Sequence, residues 1–288
     1  MSANKQLTID KVTKGYWRAI FSNPPRNQFD PWTFAELNHL MDLADQDKEL
    51  KVIVFESANV DFFMEHRDVE KRLEVPDEPG VAPFFYAWPD FVTRLINSPV
   101  ITISKVRGRA WAQGFEFALA TDMIFASKEK AKFALVEVGG GSMPGGGGIE
   151  WLTSLVGRAR AMEIILSADE YNADLGERYG FINRAISDDE LDDFVDQFAR
   201  RIASFAKRAL LLSKKMINTR AKVPTNGELF QSNYILRTID DWPEAKDGGQ
   251  EMNELAKKYG EDEVELNLPK LFGEKAIPTE HDKQGDDQ

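Results

Sequence analysis

The chain has 288 residues, with 36 Lys and Arg against 48 Asp and Glu, for a formal net charge of −12. Its length suits one large α/β domain or two small ones, and the lack of any Cys excludes disulfides, a thiolate nucleophile and Cys-ligated metals. The acidity opposes non-specific binding to nucleic acid, which depends on Lys and Arg neutralising phosphates. With no apolar run near ~18 residues and no signal-like start, we expect a cytoplasmic protein with no membrane partner.

Residues 7–13 and 16–22 alternate in hydropathy and are rich in β formers, and Lys14-Gly15 between them predicts a hairpin. Asp30-Pro31 then supplies an N-cap and a first-turn proline to a helix with Phe34, Leu37, Leu40, Met41 and Ala44 on one face. Val52-Ile53-Val54-Phe55 reads as a buried strand. Residues 61–87 mix charges, aromatics and three prolines, and no regular element is expected there. A helix through Phe91, Leu95 and Ile96 ends at Ser98-Pro99, followed by a buried strand at 100–104, a helix at about 115–120 and a strand at 123–126. Beyond a glycine-rich run the chain turns helical, over residues 149–156, 159–167, 191–205, 210–218, 229–240 and 250–259. Strands alternating with helices favour βαβ crossovers over an all-β fold or a bundle. From Gly260 onward nine acids face three lysines. We expect its hydrophilic tail from about Pro278 to be solvated, and the stretch as a whole to say little about chemistry.

The glycine run at 139–148, Gly-Gly-Gly-Ser-Met-Pro-Gly-Gly-Gly-Gly, lacks the Gly-Lys-Ser/Thr ending of a phosphate loop, and it falls too late in the chain for a dinucleotide fingerprint. Close backbone approach to a ligand or another strand remains, ahead of a helix N-terminus that favours anionic atoms. Two carboxylates are more telling. Glu116 lies among Phe115, Phe117, Ala118 and Leu119, and Glu137 lies between Val136 and Val138, settings where an acid is costly unless used or paired. Two such acids suit general acid/base chemistry, since burial and mutual repulsion separate their protonation equilibria. The alternative is structural, with Glu116 capping its helix and Glu137 paired to Arg107 or Arg109.

Residues 98–122 run from Pro99-Val100-Ile101 through Gly108-Arg109-Ala110-Trp111-Ala112-Gln113-Gly114-Phe115-Glu116-Phe117-Ala118 to Asp122, and they resemble the signature of the crotonase (enoyl-CoA hydratase/isomerase) family. Phe133 to Glu137, then Pro144 to Gly148, is similar to that family's second block. Asn23-Pro24 with Asn27, the 63–68 loop, 161–166 and 180–183 resemble further landmarks, so the likeness spans about residues 5–220. It implies an α/β fold of the crotonase type, a spiral of ββα units over residues 1–205. A helical region at 206–277 would close the site and build a homotrimer or a dimer of trimers, and an acidic tail would occupy 278–288. It further implies an acyl-CoA substrate and no metal or redox cofactor. Glu116 and Glu137 match the two acids that hydratases use to hold and deprotonate water and to protonate the α-carbon, the second sufficing in isomerases. Glu65 and Gln113 match the backbone N–H donors of the oxyanion hole. Arg26, His66, Arg67, Gly114 and Gly145 are the expected substrate or CoA contacts, with Lys71 and Arg72 as further cations and Phe84, Phe85, Tyr86 and Trp88 as an acyl lining.

The departures are as informative. The family's usual Phe-x-Ala-Gly-x-Asp is here Phe63-Met64-Glu65-His66-Arg67-Asp68, and a Glu65 carboxylate aimed at an oxyanion would oppose catalysis unless turned away onto His66 or Arg67. Ala112-Gln113 replaces two glycines, so strain is expected wherever the backbone needs positive φ, and Gln113 narrows the pocket. These changes leave open a crotonase-fold hydrolase or C–C lyase acting on a β-diketone or β-keto acid, and a non-catalytic relative.

Overall fold

The computed structural model describes residues 5–68, 71, 74, 83–239 and 241–274. It opens on the expected hairpin, β1 (Leu7–Thr13) and β2 (Tyr16–Phe21), and on α1 (Pro31–Gln46), where Asp30 accepts from the N–H of Thr33 at 2.8 Å. There follow β3 (Val52–Ser57), β4 (Phe62–Met64), α2 (Phe84–Ile96), β5 (Ile101–Val106), β6 (Arg109–Trp111), α3 (Gln113–Ala120), β7 (Met123–Ser127) and β8 (Lys132–Ala134). A 3-10 turn at Glu137–Gly140 leads to α4 (Gly148–Ser167), β9 (Tyr171–Asn172), α5 (Ala173–Tyr179) and β10 (Arg184–Ile186). The rest is helical: α6 (Leu191–Ala203), α7 (Lys207–Ala221), α8 (Asn226–Ile239), α9 (Pro243–Tyr259) and α10 (Glu261–Glu274). None of these helices is long and apolar enough to cross a membrane.

Two sheets organise the chain. The larger runs β1-β2-β3-β5-β7-β10, antiparallel at the hairpin and parallel thereafter, and the smaller runs β4-β6-β8-β9. Each of β3, β5 and β7 is followed by a short strand in the second sheet and then by α2, α3 or, after the 3-10 turn, α4, so the chain winds as three successive ββα turns. The central strands are apolar because helices cover a parallel sheet on its faces; β3 buries five of its six residues. Between the layers Phe21, Phe55, Phe63 and Phe117 meet edge to face, with Phe55 and Phe117 centroids 5.0 Å apart.

Sequence periodicity missed β4, β6, β8 and β9, which have only two or three residues each. These strands place the site, because β4 leads into Glu65, β6 into Gln113 and β8 towards Glu137. The two helices expected at 149–156 and 159–167 form one element broken at Gly157, whose φ of 76° interrupts the helical backbone.

Candidate active site

Every residue of α3 is buried, and Glu116 is 2% exposed. One of its oxygens accepts from the N–H groups of Gly146 at 2.7 Å and Gly148 at 3.0 Å. Gly148 opens α4, so the helix N-terminus expected to meet a ligand meets the protein's own carboxyl. The glycines permit this approach. A Cβ on Gly146 would lie 2.2 Å from Glu116 Oε2 and 2.8 Å from the Trp88 indole nitrogen, which donates to the Gly146 carbonyl at 2.8 Å. Gly145 was expected to contact the substrate, but it packs on α8, where a Cβ would fall 2.6 Å from Leu236.

Glu137 begins the 3-10 turn, and its Oε2 is buried with no hydrogen-bond partner. Burial is the main force raising Glu116, to about 8, and the charge of Glu137 adds to it against the two glycine amides. Burial likewise raises Glu137 to about 7, against its own backbone N–H and the charges of Arg67 and His66. The two carboxyls sense each other, so their protons leave in steps that belong to the pair. Neither Arg107 nor Arg109 pairs with Glu137. Arg107 binds Asp188 at 2.7 Å, and Arg109 lies over the rings of Phe62 and Trp111.

Gln113 opens α3, where a first-turn N–H has no acceptor inside the helix. Gly114 lies so close to β4 that a Cβ there would be 2.1 Å from the Met64 carbonyl oxygen. That contact is its role here, and it sets the turn of Gln113 beside Met64-Glu65. The N–H of Glu65 itself donates to Asn27 O at 3.3 Å, beyond the usual 2.9–3.0 Å. The side-chain Nε2 of Gln113 is buried without a partner.

The expected strain falls on Ala112, at φ 46° and ψ −117°, a region nearly reserved for glycine. Ala112→Gly should therefore stabilise the fold by about 1 kcal/mol, the relief of strain exceeding the lost packing of one methyl and the added freedom of the unfolded chain. Denaturant unfolding checks it; a midpoint that stays or falls would show that the backbone here is not strained.

The cations are placed differently from expectation. Arg26 is 8% exposed and spends its guanidinium on Glu65 through Nε at 2.8 Å, on Glu261 through Nη2 at 2.7 Å and on Asp262 through Nη1. It is therefore not open to a CoA phosphate, and it is Arg26, rather than His66 or Arg67, that turns the Glu65 carboxyl aside. His66 places Nδ1 2.8 Å from Arg67 O and Nε2 3.3 Å from Glu265. Burial opposes its charge, but Glu265, with help from Glu65, holds it up at about 10. His66 is thus also held by the protein. The ligand atoms of Glu65, His66 and Glu265 lie within 4.8 Å of one another; burial raises the Glu65 carboxyl to about 7, where it shares a hydrogen bond with Glu265, while the Glu265 carboxyl, against its burial, is held low by His66. The Arg67 guanidinium lies 4.5 Å over the Phe85 ring, and Lys71 pairs with Asp68 at 2.7 Å; Arg72 lies outside the described residues. Phe85 and Trp88 are buried in α2, while Tyr86 is exposed.

Periodicity did not mark α10, although it lies within the helical region at 206–277 that the resemblance implies. Its Glu261, Glu265, Leu268 and Phe272 recur at i, i+4, i+7 and i+11, the one-face pattern of a helix, but acids at two of the four positions hid the stripe.

A sequence profile described as enoyl-CoA hydratase/isomerase matches residues 16–258. The short-chain-enoyl-CoA hydratase of Clostridium acetobutylicum is 31% identical over 210 residues, covering 71% of this chain and 78% of that protein. The carnitinyl-CoA dehydratase of Escherichia coli K12 is 29% identical over 203 residues, covering 70% and 76%. A crystal structure from Streptomyces avermitilis, provisionally assigned as an enoyl-CoA hydratase, superposes with a TM-score of 0.86 at 32% identity, covering 97% of this chain and 99% of that one.

Proposed function

Because the chain belongs to the enoyl-CoA hydratase/isomerase family, we propose that it hydrates, or moves the double bond of, an enoyl-CoA thioester through an enolate, with Glu116 and Glu137 as its acid/base pair. One observation carries the reading: the carboxyls of Glu116, which is buried, and of Glu137, one of whose oxygens is closed to solvent, are both raised and act on each other, and Glu116 lies in the first turn of α3, whose first amide is free of its own helix. Adding water across a conjugated double bond removes a proton from water and delivers one to the α-carbon, so the pair must hold one proton between its members. The thioester oxygen, gaining charge as the enolate forms, would take the N–H of Gln113 and that of Glu65, each worth on the order of 3–4 kcal/mol in such roles. The long Glu65 bond to Asn27 O is one that a better acceptor would compete for. The substrate brings its CoA, and these steps draw on no metal or redox cofactor.

The pH dependence follows from the same pair. Below about 7 both carboxyls hold protons and none can accept one; above about 8 both are ionised and none can donate. kcat/KM for crotonyl-CoA hydration, which reports the free enzyme, should be bell-shaped with its maximum between about 7 and 8. A profile flat from pH 6 to 9, or no turnover across a panel of enoyl-CoA chain lengths, would defeat the proposal.

A CoA-independent hydrolase or C–C lyase has one observation in its favour, that Arg26 and His66 are spent on protein carboxylates rather than open to CoA phosphates. Ligand binding raises the melting temperature by mass action, so a shift with acetyl-CoA supports the first reading and none supports the second. Assembly as a trimer or paired trimers is supported by apolar side chains left exposed on α4 (Leu155, Met162, Leu166) and α7 (Leu212, Met216, Ile217).

A further inference from the structure

One face of α10 touches all three segments that carry the proposed machinery. At its first turn Glu261 and Asp262 hold Arg26, whose Nε holds the Glu65 side chain at 2.8 Å, and Glu265 holds His66 at 3.3 Å. One turn on, Leu268 packs in a cluster with Phe62, Trp111 and Ala112, the residues that lead into Glu65 and Gln113. At the far end Phe272 lies against Gly139, where a Cβ would fall 2.4 Å from its ring, in the turn that begins with Glu137.

The charged end of this stripe acts on two consecutive residues. The side chains of Glu65 and His66 are both drawn toward α10, Glu65 through Arg26 and through a side-chain hydrogen bond with Glu265, and His66 through Glu265. Their backbone is tied to the segment that follows Arg26, the Glu65 N–H to Asn27 O at 3.3 Å and the His66 carbonyl to the Phe29 N–H at 3.1 Å. Two residues held through both side chains and backbone keep one backbone orientation, and that orientation decides where the Glu65 N–H points.

We propose that Arg26 and Glu265 are positioning residues for carbonyl binding: by latching Glu65 and His66 to α10 they aim the Glu65 amide and keep its carboxylate out of the oxyanion site. This rests on the enolate reading above and adds to it that α10 sets the geometry of the site as well as covering it. The latch also accounts for a glutamate at a position where the family usually has a small residue.

The test uses the full-length protein and 4-(dimethylamino)cinnamoyl-CoA, a push–pull thioester whose absorption band moves to the red when its carbonyl is polarised. The wild type should bind it with a red shift. Glu265→Gln, which keeps the side-chain volume, and Arg26→Met should each lose at least half of that shift while Kd changes less than about threefold, and kcat for crotonyl-CoA should fall at least tenfold with little change in KM. Arg26→Lys, which keeps the charge but not the fork of donors, should lie between Arg26→Met and the wild type. Should Arg26→Met fail to fold, Glu265→Gln alone decides. A full red shift in Glu265→Gln overturns the proposal while leaving the enolate reading intact. Lys270 lies on the solvent side of α10 and, among the described residues, pairs only with Glu274. An equal loss in Lys270→Gln would overturn the proposal too, by showing that helix docking in general sets the carbonyl. A wild type that binds the probe without any shift overturns the enolate reading itself.

Discussion

Replacing Glu137 by glutamine should lower kcat for an enoyl-CoA thioester by about 10²–10⁴-fold with KM nearly unchanged, the range expected for loss of a positioned acid or base. The substitution keeps the shape of the side chain and removes only its ability to exchange a proton. Its Oε2 has no hydrogen-bond partner to lose, so the turn at Glu137–Gly140 should persist and Tm should hold or rise. Glu116→Gln should cost a similar factor in hydration, but with a different structural signature. Its carboxyl accepts from two backbone N–H groups, Gly146 and Gly148, and the glutamine must present its oxygen there, which fixes the side-chain NH₂ on the other side. Stopped-flow hydration of crotonyl-CoA, read beside circular dichroism, checks both. Should either variant keep more than a third of wild-type kcat, that residue is not in the acid/base pair. Retained isomerisation with lost hydration in Glu116→Gln would place the protein among the isomerases, in which the second acid acts alone.

Gly114→Ala should be the most damaging single methyl in the molecule. The added Cβ would stand 2.1 Å from the Met64 carbonyl oxygen and 2.9 Å from the Met64 Cβ. Backbone on both sides leaves no flexible group to yield. Overpacking of well-packed interiors costs ~1–3 kcal/mol and occasionally more, and with a rigid neighbour we expect about 3 kcal/mol and a Tm lower by ~6–12 °C. Relief comes only by parting α3 from β4, which carries the Gln113 and Glu65 amides away from each other, so kcat should fall with stability. Gly227→Ala is the matched comparison, since nothing lies within 4 Å of its added Cβ; it should be neutral or stabilising by ~0.5–1 kcal/mol. Calorimetry that finds the two variants alike would mean that the close approach at Gly114 is not a feature of the folded protein.

What the chain reveals before folding depends on how local each signal is. Glu116 and Glu137 stand out because an acid between apolar neighbours is anomalous within five residues; Glu116 proves buried, Glu137 half-buried with one oxygen closed to solvent, and both are raised. Asp30-Pro31 announces α1 for the same reason, a cap and its helix being adjacent. Strain at Ala112 was legible because a glycine position is occupied by a residue with a Cβ. The Arg26 latch had no local mark. Its partners Glu261 and Asp262 lie 235 and 236 residues away, and an arginine in a loop reads as a surface cation until those partners are known. The short strands β4, β6 and β8 fail differently, since three residues give too little periodicity to tell from a loop. The charge of −12 changes meaning accordingly: part of the acidic C-terminal stretch, expected to say little about chemistry, is bound to Arg26 and His66 beside Glu65.

The proposed role of Glu116 and Glu137 is to move protons between water and the α-carbon of an enoyl-CoA thioester. Proton NMR of crotonyl-CoA incubated with the protein in deuterium oxide observes that transfer directly. The wild type should form a 3-hydroxyacyl-CoA product carrying deuterium at the α-carbon, and Glu137→Gln should form it at least a hundredfold more slowly. Unlabelled substrate recovered intact from the wild type across short- and medium-chain enoyl-CoA thioesters, or labelling that Glu137→Gln leaves unchanged, would contradict it.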